Sequence, residues 1–139
     1  NNKGPMRKDI VVYSYPYTDA NTFTADFLNA KRDGVLSRFI TGSVEGSHMG
    51  TEYKVMPPQM RNVVVQEDEQ ATEIRGLWKI LDGESMGGPY VSHTRLDQVN
   101  GRIVTAEAFL YAAGQKKRNA LRQAEAILYT LQLPQDTIK

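Results

Sequence analysis

Alternating apolar and polar residues predict a three-stranded antiparallel meander over Glu73–Gly114. Within it, Val99-Asn100-Gly101-Arg102 separates two apolar runs. Asn-Gly favours a two-residue hairpin turn because both residues tolerate positive φ. Such a turn would place Tyr90 opposite Tyr111. Both faces of this hairpin carry apolar residues, which is typical of a sheet that is covered on both sides.

The flanking patterns predict further strands and two amphipathic helices. Strands are expected over residues 9–17, 51–56 and 61–66, because their residues alternate and are rich in β-branched and aromatic types. Apolar residues recur at helical spacing over residues 23–36 and 115–131. The residues between 41 and 50 are rich in glycine and serine and predict a loop.

The first predicted helix has a polar side as well as an apolar stripe. Lys31, Arg32 and Asp33 are expected on the side opposite its apolar residues. The element order β-α-β-β-β-β-β-α predicts an α+β fold. We expect a two-layer sandwich, with an antiparallel or mixed sheet of about five or six strands and two amphipathic helices on one face. A ferredoxin-like core is the nearest common architecture.

The length of the chain, 139 residues, predicts one domain that buries roughly two thirds of its unfolded surface. Residues 1–8 are polar and contain glycine and proline, so they predict a disordered lead-in. Residues 9–133 are expected to form the α+β domain. Residues 134–139 follow the second helix and are expected to fray.

Charge and composition narrow the classes of partner. Seventeen basic and sixteen acidic residues give a net charge of +1, which argues against nucleic acid as a partner. The chain has no cysteine, so a disulfide, a thiolate nucleophile and a cysteine metal site are all excluded. No apolar run approaches the about 20 residues of a membrane span, and no signal peptide is recognised. No cofactor is expected.

A basic cluster marks the start of the second predicted helix. Lys116, Lys117 and Arg118 lie in its first turn, where their positive charges oppose the helix dipole. The cluster is a candidate binding site for an anionic ligand, a lipid headgroup or an acidic partner surface. The alternative is a solvated basic face that Glu125 or Glu73 balances.

Three aromatic residues of the hairpin form a second candidate site. Tyr90, Phe109 and Tyr111 share one face in the predicted register. Such a face suits a partner domain or a sugar ring stacked on aromatic faces. The alternative is that these side chains pack within the domain.

The two histidines, His48 and His93, show no spacing typical of metal ligands, so no metal site is expected. No catalytic residue is assigned either, because Ser92 and His93 are strand neighbours that point to opposite faces. A further candidate site combines the glycine-rich loop over residues 81–89 with His93, Glu107 and Arg75. It would bind a small ligand or support hydrolysis.

Four segments resemble a known family in order and without large gaps: YSYPYTDANTFT, LNAKRDGVLSRFITGSVEGSHM, IRGLWKILDGESMGGPYVSH and EAFLYAAGQKKRNALRQAEAIL. They are similar to the C-terminal half of the domain of unknown function 4837 family, whose members resemble lipid-anchored envelope proteins of Gram-negative gut bacteria. The resemblance covers residues 9–131. It implies an upstream domain and a lipid anchor outside this chain, on the periplasmic side of the cell envelope. It implies no activity, substrate or catalytic residue.

Two functions are therefore expected. The first is a non-catalytic interaction or structural module of a cell-envelope lipoprotein. Its partner would be the upstream domain of the same protein, another envelope protein or a second copy. The alternative is a small-ligand-binding or hydrolytic enzyme domain with a site around the 81–89 loop. The first is favoured by the two-sided apolar sheet.

Overall fold

A computed structural model describes residues 6–18, 24–66, 69–83, 86–112 and 118–137 of the chain. The elements are β1 (Met6–Pro16), α1 (Ala25–Phe39), β2 (His48–Glu52), β3 (Gln59–Gln66), β4 (Glu69–Leu81), β5 (Gly87–Asp97), β6 (Arg102–Ala112), α2 (Arg118–Leu128) and α3 (Pro134–Thr137). The strands form one six-stranded sheet in the order β1-β6-β5-β4-β2, and β3 also pairs with β4. The predicted α+β fold is confirmed.

Every strand pair in this sheet is antiparallel. A ferredoxin-like core contains a split βαβ unit, in which a helix connects two parallel strands. Here α1 also connects two strands of the same direction, β1 and β2, but three strands rather than one lie between them, and they stand at opposite ends of the sheet order. The ferredoxin-like comparison therefore stays an analogy, with added strands between the two strands that α1 connects.

The two longer helices cover opposite faces of the sheet. The α1 face carries a core of Leu28, Leu36, Met49, Ile74, Trp78, Tyr90 and Phe109. The α2 face carries a core of Val91, Ala106, Ala108, Ala124 and Leu128. Tyr90 and Val91 are consecutive strand residues, so their side chains must point to opposite faces. The prediction of two helices on one face is wrong, because each apolar face of the sheet has its own helical cover.

The hairpin between β5 and β6 has a different register from the predicted one. Tyr90 lies opposite Phe109 rather than Tyr111, and the loop comprises residues 98–101 rather than two residues. The predicted face assignments still hold, because a register shift of two residues leaves the alternation of side chains unchanged.

The longer turn results from the side chain of Asp97. Its carboxylate accepts hydrogen bonds from the backbone N–H groups of Val99 and Asn100, at 3.1 and 3.0 Å. Only Gly101 of the Asn-Gly pair has a positive φ, of 63°. A type I′ turn requires positive φ at both positions. The Asp97 cap therefore replaces the predicted two-residue turn.

Strand β2 lies earlier in the chain than predicted. It begins at His48, inside the predicted loop, and pairs with the end of β4. Met49 is fully buried in the core beneath α1. Burial of this side chain explains why a segment rich in glycine and serine forms a strand here.

Strand β1 begins at Met6, so residues 6–8 belong to the sheet and not to the predicted lead-in. Residues 1–5 of that prediction lie outside the described residues. None of the helices in the described ranges is long and apolar enough to cross a membrane.

The predicted frayed tail is partly folded. Residues 134–137 form α3, whereas residues 138–139 lie outside the described residues. The buried Asp136 carboxylate accepts hydrogen bonds from both terminal nitrogens of Arg95, at 2.6 and 2.7 Å. This ion pair holds α3 against the α2 face of the sheet.

We expect Asp136→Asn to lower the free energy of unfolding at pH 7 by about 2 kcal/mol, since hydrogen bonds between charged groups are lost. Arg95 holds the pKa of Asp136 below its usual range. A carboxyl with a depressed pKa in the folded state stabilises the fold above its unfolded pKa, and this contribution is lost as the pH falls. Urea unfolding should therefore show the difference between wild type and variant shrinking below about pH 4.

Glu69 provides the matched control, because it also lies near Arg95, at 3.4 Å, but is half exposed. Glu69→Gln is expected to cost less than about 1 kcal/mol. A loss for Asp136→Asn that stays constant between pH 7 and pH 3 would contradict the assigned role of this ion pair.

Candidate functional site

A cavity of about 630 Å³ lies between the C-terminal end of α1 and the sheet. Most of its lining residues are of apolar type, including Phe39, Trp78, Ile80, Met86, Phe109 and Tyr111, although polar atoms contribute slightly more of its exposed surface than apolar atoms. Among its lining residues, Asp9 is the one that carries a charge. Sites for small ligands are typically about 300–1,000 Å³ and mostly apolar. The cavity therefore offers both apolar side chains and polar atoms to whatever it holds.

The cavity lies where β5 begins with two glycines and a proline. Gly88 lies opposite Trp78, whose indole Nε1 donates a hydrogen bond to the carbonyl oxygen of Leu110 at 3.1 Å. Continuing the β5–β6 register by one residue pairs Pro89 with Leu110. Proline has no N–H, so it cannot donate a strand hydrogen bond to the Leu110 carbonyl oxygen. The indole replaces the missing strand donor. A Cβ on Gly88 would overlap the Leu110 carbonyl oxygen.

A buried ion pair lies beneath α1 on the same face of the sheet. Arg32 donates hydrogen bonds to both carboxylate oxygens of Glu107, at 2.7 and 2.9 Å. Its guanidinium also lies 3.9 Å from the centre of the Tyr90 ring and donates to the hydroxyl of Thr51. Burial disfavours the charge of Arg32, but Glu107 outweighs this effect and raises its pKa. Burial raises the pKa of Glu107, but the two short hydrogen bonds from the guanidinium favour its carboxylate form, and we therefore assign the pair as ionised.

A second polar cluster lies on the opposite face, against α2. Glu73 on β4 accepts hydrogen bonds from Arg61 and Arg75, at 2.7 and 3.1 Å. Arg75 also donates to Glu125 on α2. Burial alone would raise the pKa of Glu73, but the two guanidiniums hold it below its usual range.

His93 on β5 lies beside this cluster. Its ring packs edge-on against Tyr129, with ring centres 4.7 Å apart. Its Nε2 atom lies 3.9 Å from a carboxylate oxygen of Glu73. Neither ring nitrogen has a hydrogen-bond partner among the described residues. Burial lowers the pKa of His93, so the neutral ring is favoured.

Comparison with known proteins supports the family resemblance. The sequence matches a protein family described as "Domain of unknown function (DUF4837)" over residues 1–130. The chain belongs to the DUF4837 family. No curated protein matches this DUF4837 domain.

One solved structure, of an uncharacterized protein from Rhizobium leguminosarum, is similar to the DUF4837 domain. It covers 88% of this chain and 90% of its own chain, at 11% sequence identity and a TM-score of 0.34. A likeness at this level says nothing about function.

The DUF4837 domain brings only some of the predicted site residues together. Phe109 and Tyr111 both line the cavity, whereas Tyr90 is buried beneath Arg32 and cannot reach a partner. The predicted aromatic face is therefore partly internal packing. Of the predicted 81–89 loop, Met86 also lines the cavity, and residues 84–85 lie outside the described residues.

The predicted site of His93, Glu107 and Arg75 is wrong as a single site. His93 and Arg75 lie on the α2 face of the sheet, whereas Glu107 lies on the α1 face with Arg32. His93 is paired with Ala106, so these two side chains lie on the same face. Glu107 follows Ala106 in β6, so its side chain points to the opposite face. The sheet itself separates the groups.

The predicted basic cluster falls largely outside the described residues. Lys116 and Lys117 are not described, and Arg118 is described only as the first residue of α2, without its side chain. Glu125, one of the carboxylates expected to balance the cluster, instead pairs with Arg75. The binding role of these three cations stays a prediction.

Sequence reasoning missed Arg32, although a signal was present. Arg32 lies four residues after Leu28 and four before Leu36, both of which are buried. Residues four apart share one face of a helix. The spacing therefore contradicts the predicted exposed position of Arg32 and indicates a buried arginine that requires an acidic partner.

Proposed function

We propose that this domain is a non-catalytic interaction module of a cell-envelope lipoprotein, and that the cavity holds apolar side chains of a protein partner. The observation that carries this proposal is the lining of the cavity, which combines aromatic and aliphatic side chains with a single charged residue, Asp9. Clustered aromatic and methionine side chains are typical of the buried centre of a protein interface.

The position of β1 indicates how a partner would bind. Among the described strands, β1 lies at the end of the sheet order and pairs only with β6. It is 11 residues long, and its residues Asp9, Ile10 and Val11 line the cavity. An extended segment that added to this edge would continue the sheet. Every second side chain of that segment would then point towards the α1 face.

The partner is therefore expected to be an extended protein segment with apolar residues at alternate positions. Its source would be the upstream domain of the same lipoprotein, another envelope protein or a second copy of this chain. For location, we propose the periplasmic side of the envelope and attachment through a lipid anchor outside this chain. The family resemblance supports the location, and release of the natural protein into the soluble fraction without detergent would contradict it.

Photo-cross-linking in intact cells tests the proposed contact. Phe39 lines the cavity with 77% of its surface exposed, and a benzoylphenylalanine at this position is expected to form an adduct with a protein segment. Val55 is the matched control, since it is 78% exposed and does not line the cavity. Mass spectrometry of the adduct identifies the source of the segment. Adducts to lipid alone, or equal adducts from both positions, would refute the proposal.

Once the segment is known, Phe39→Ser is expected to weaken its binding by roughly tenfold, because the contact of one large apolar side chain is lost. Val55→Ser should leave the affinity unchanged. Fluorescence anisotropy with the labelled segment measures both. Similar losses for the two variants would show that the cavity does not hold the partner.

A second candidate function is the binding of a small apolar ligand. The volume of about 630 Å³ favours it, because this is the size of a small-ligand site. Native mass spectrometry of the purified protein would detect a retained ligand. Its loss on Phe39→Ser, with no cross-linked protein partner, would favour this function over the first.

A further inference from the structure

We propose that Glu73, His93 and Glu125 form a binding site for one divalent transition-metal ion of the Zn²⁺ type. The site lies on the α2 face of the sheet, opposite the cavity, and is independent of the proposed interaction function. One nitrogen of His93 and one oxygen from each carboxylate all lie within 4.8 Å of one another. The three donors come from β4, β5 and α2.

The state of His93 is the observation that points to a ligand. The residue is only 1% exposed, and neither of its ring nitrogens has a hydrogen-bond partner among the described residues. A buried polar group without a partner destabilises the fold. The Nε2 atom lies 3.9 Å from a carboxylate oxygen of Glu73, too far for a hydrogen bond but close enough for both atoms to bind one ion.

The neighbouring arginines are compatible with an ion. Arg61 and Arg75 bind the carboxylate of Glu73, and Arg75 also binds that of Glu125. Their side chains are 65% and 36% exposed, so both guanidiniums can turn towards solvent. A doubly charged ion would then replace two singly charged groups. The charge balance at the two carboxylates would not change.

The donor types select the class of metal. An imidazole nitrogen together with two carboxylate oxygens suits Zn²⁺ and its neighbours, whereas Mg²⁺ and Ca²⁺ prefer oxygen donors alone. Three protein ligands leave a fourth tetrahedral position for water. An ion bound there would connect α2 directly to β4 and β5.

Titration of the chelator-treated 139-residue protein with ZnCl₂, followed by calorimetry, tests the site. We expect one ion to bind per chain and the melting temperature to rise by roughly 9 °C at a hundredfold excess over the dissociation constant. CoCl₂ should produce the visible absorption of a tetrahedral site. Absence of Zn²⁺ binding by the wild-type protein would overturn the proposal.

Variants at the ligands and at Arg75 make the test specific. Glu125→Gln should weaken Zn²⁺ binding by at least about tenfold, and His93→Gln by more than the 10–100-fold typical of changes outside the first ligand shell. Arg75→Gln should tighten binding, because it releases both carboxylates. If the cluster were only a structural ion-pair network, Arg75→Gln would not tighten Zn²⁺ binding.

Two control variants have matched residue types. Glu52→Gln removes a carboxylate that pairs with Lys79 at 2.9 Å, and His48→Gln removes the second histidine. Both should bind Zn²⁺ like the wild type. If His93→Gln does not fold, the opposite effects of Glu125→Gln and Arg75→Gln still decide the question. Unchanged affinity in both of these variants, or loss of binding in His48→Gln, would overturn the site.

Discussion

Replacing Glu107 with glutamine is expected to lower the free energy of unfolding by about 3–5 kcal/mol, the usual cost of breaking a buried ion pair. The side chains of Arg32 and Glu107 are only 3% and 0% exposed. The variant would leave the positive charge of Arg32 in the core without its carboxylate.

Urea unfolding of the single variant Glu107→Gln and of the double variant Arg32→Met/Glu107→Leu measures the change in the free energy of unfolding. The double variant should recover much of the lost stability, because an apolar pair of similar volume avoids the desolvation of both charges. Glu52→Gln, which breaks the more exposed pair with Lys79, should lose far less than Glu107→Gln. A Glu107→Gln protein within about 1 kcal/mol of the wild type would show that the pair contributes no more than an exposed one.

Replacing Gly88 with alanine is expected to cost about 3 kcal/mol, at the upper end of the range for overpacking. The added Cβ would overlap the carbonyl oxygen of Leu110, which belongs to the backbone and cannot rotate away. Strand β6 would have to move, and the hydrogen bond from Trp78 to that oxygen would break. Since Trp78 is the one tryptophan of the chain, its fluorescence reports the change directly.

Gly34→Ala is the matched control for this prediction. Gly34 lies within α1, and a Cβ built there meets no atom within 4 Å. Alanine should therefore stabilise the helix by about 0.5–1 kcal/mol. The two Gly→Ala variants should shift the urea midpoint in opposite directions. Shifts of the same sign would contradict the assigned close contact at Gly88.

Much of the fold was predictable because local side-chain patterns depend only on near neighbours in the chain. The meander from β4 to β6 follows from alternation, and the helices follow from apolar residues at helical spacing. The side-chain faces of β5 and β6 were right although the turn was wrong, since the shift was an even number of residues. The turn itself depends on the hydrogen bond that the Asp97 carboxylate accepts from the Val99 N–H. The Asn-Gly pair in the sequence does not indicate this bond.

The polar clusters on the two faces of the sheet were much less predictable, because they bring into contact residues that are far apart in the sequence. Arg32 and Glu107 are 75 residues apart, and Arg75 and Glu125 are 50 apart. No spacing rule for helices or strands connects such residues. The cavity also depends on Gly88, whose absent side chain allows Trp78 to reach across β5.

The sequence by itself determined the family, the α+β class and a sheet with two apolar faces. The α+β class and the two apolar faces arise from alternation along short stretches of chain, whereas the family follows from the sequence match over residues 1–130. Only the tertiary structure decided that α1 and α2 cover opposite faces, and that Glu107 therefore pairs with Arg32 while His93 meets Glu73 and Glu125. The physical reason is that each face is buried by whichever helix packs on it, and packing brings together residues that the chain keeps far apart.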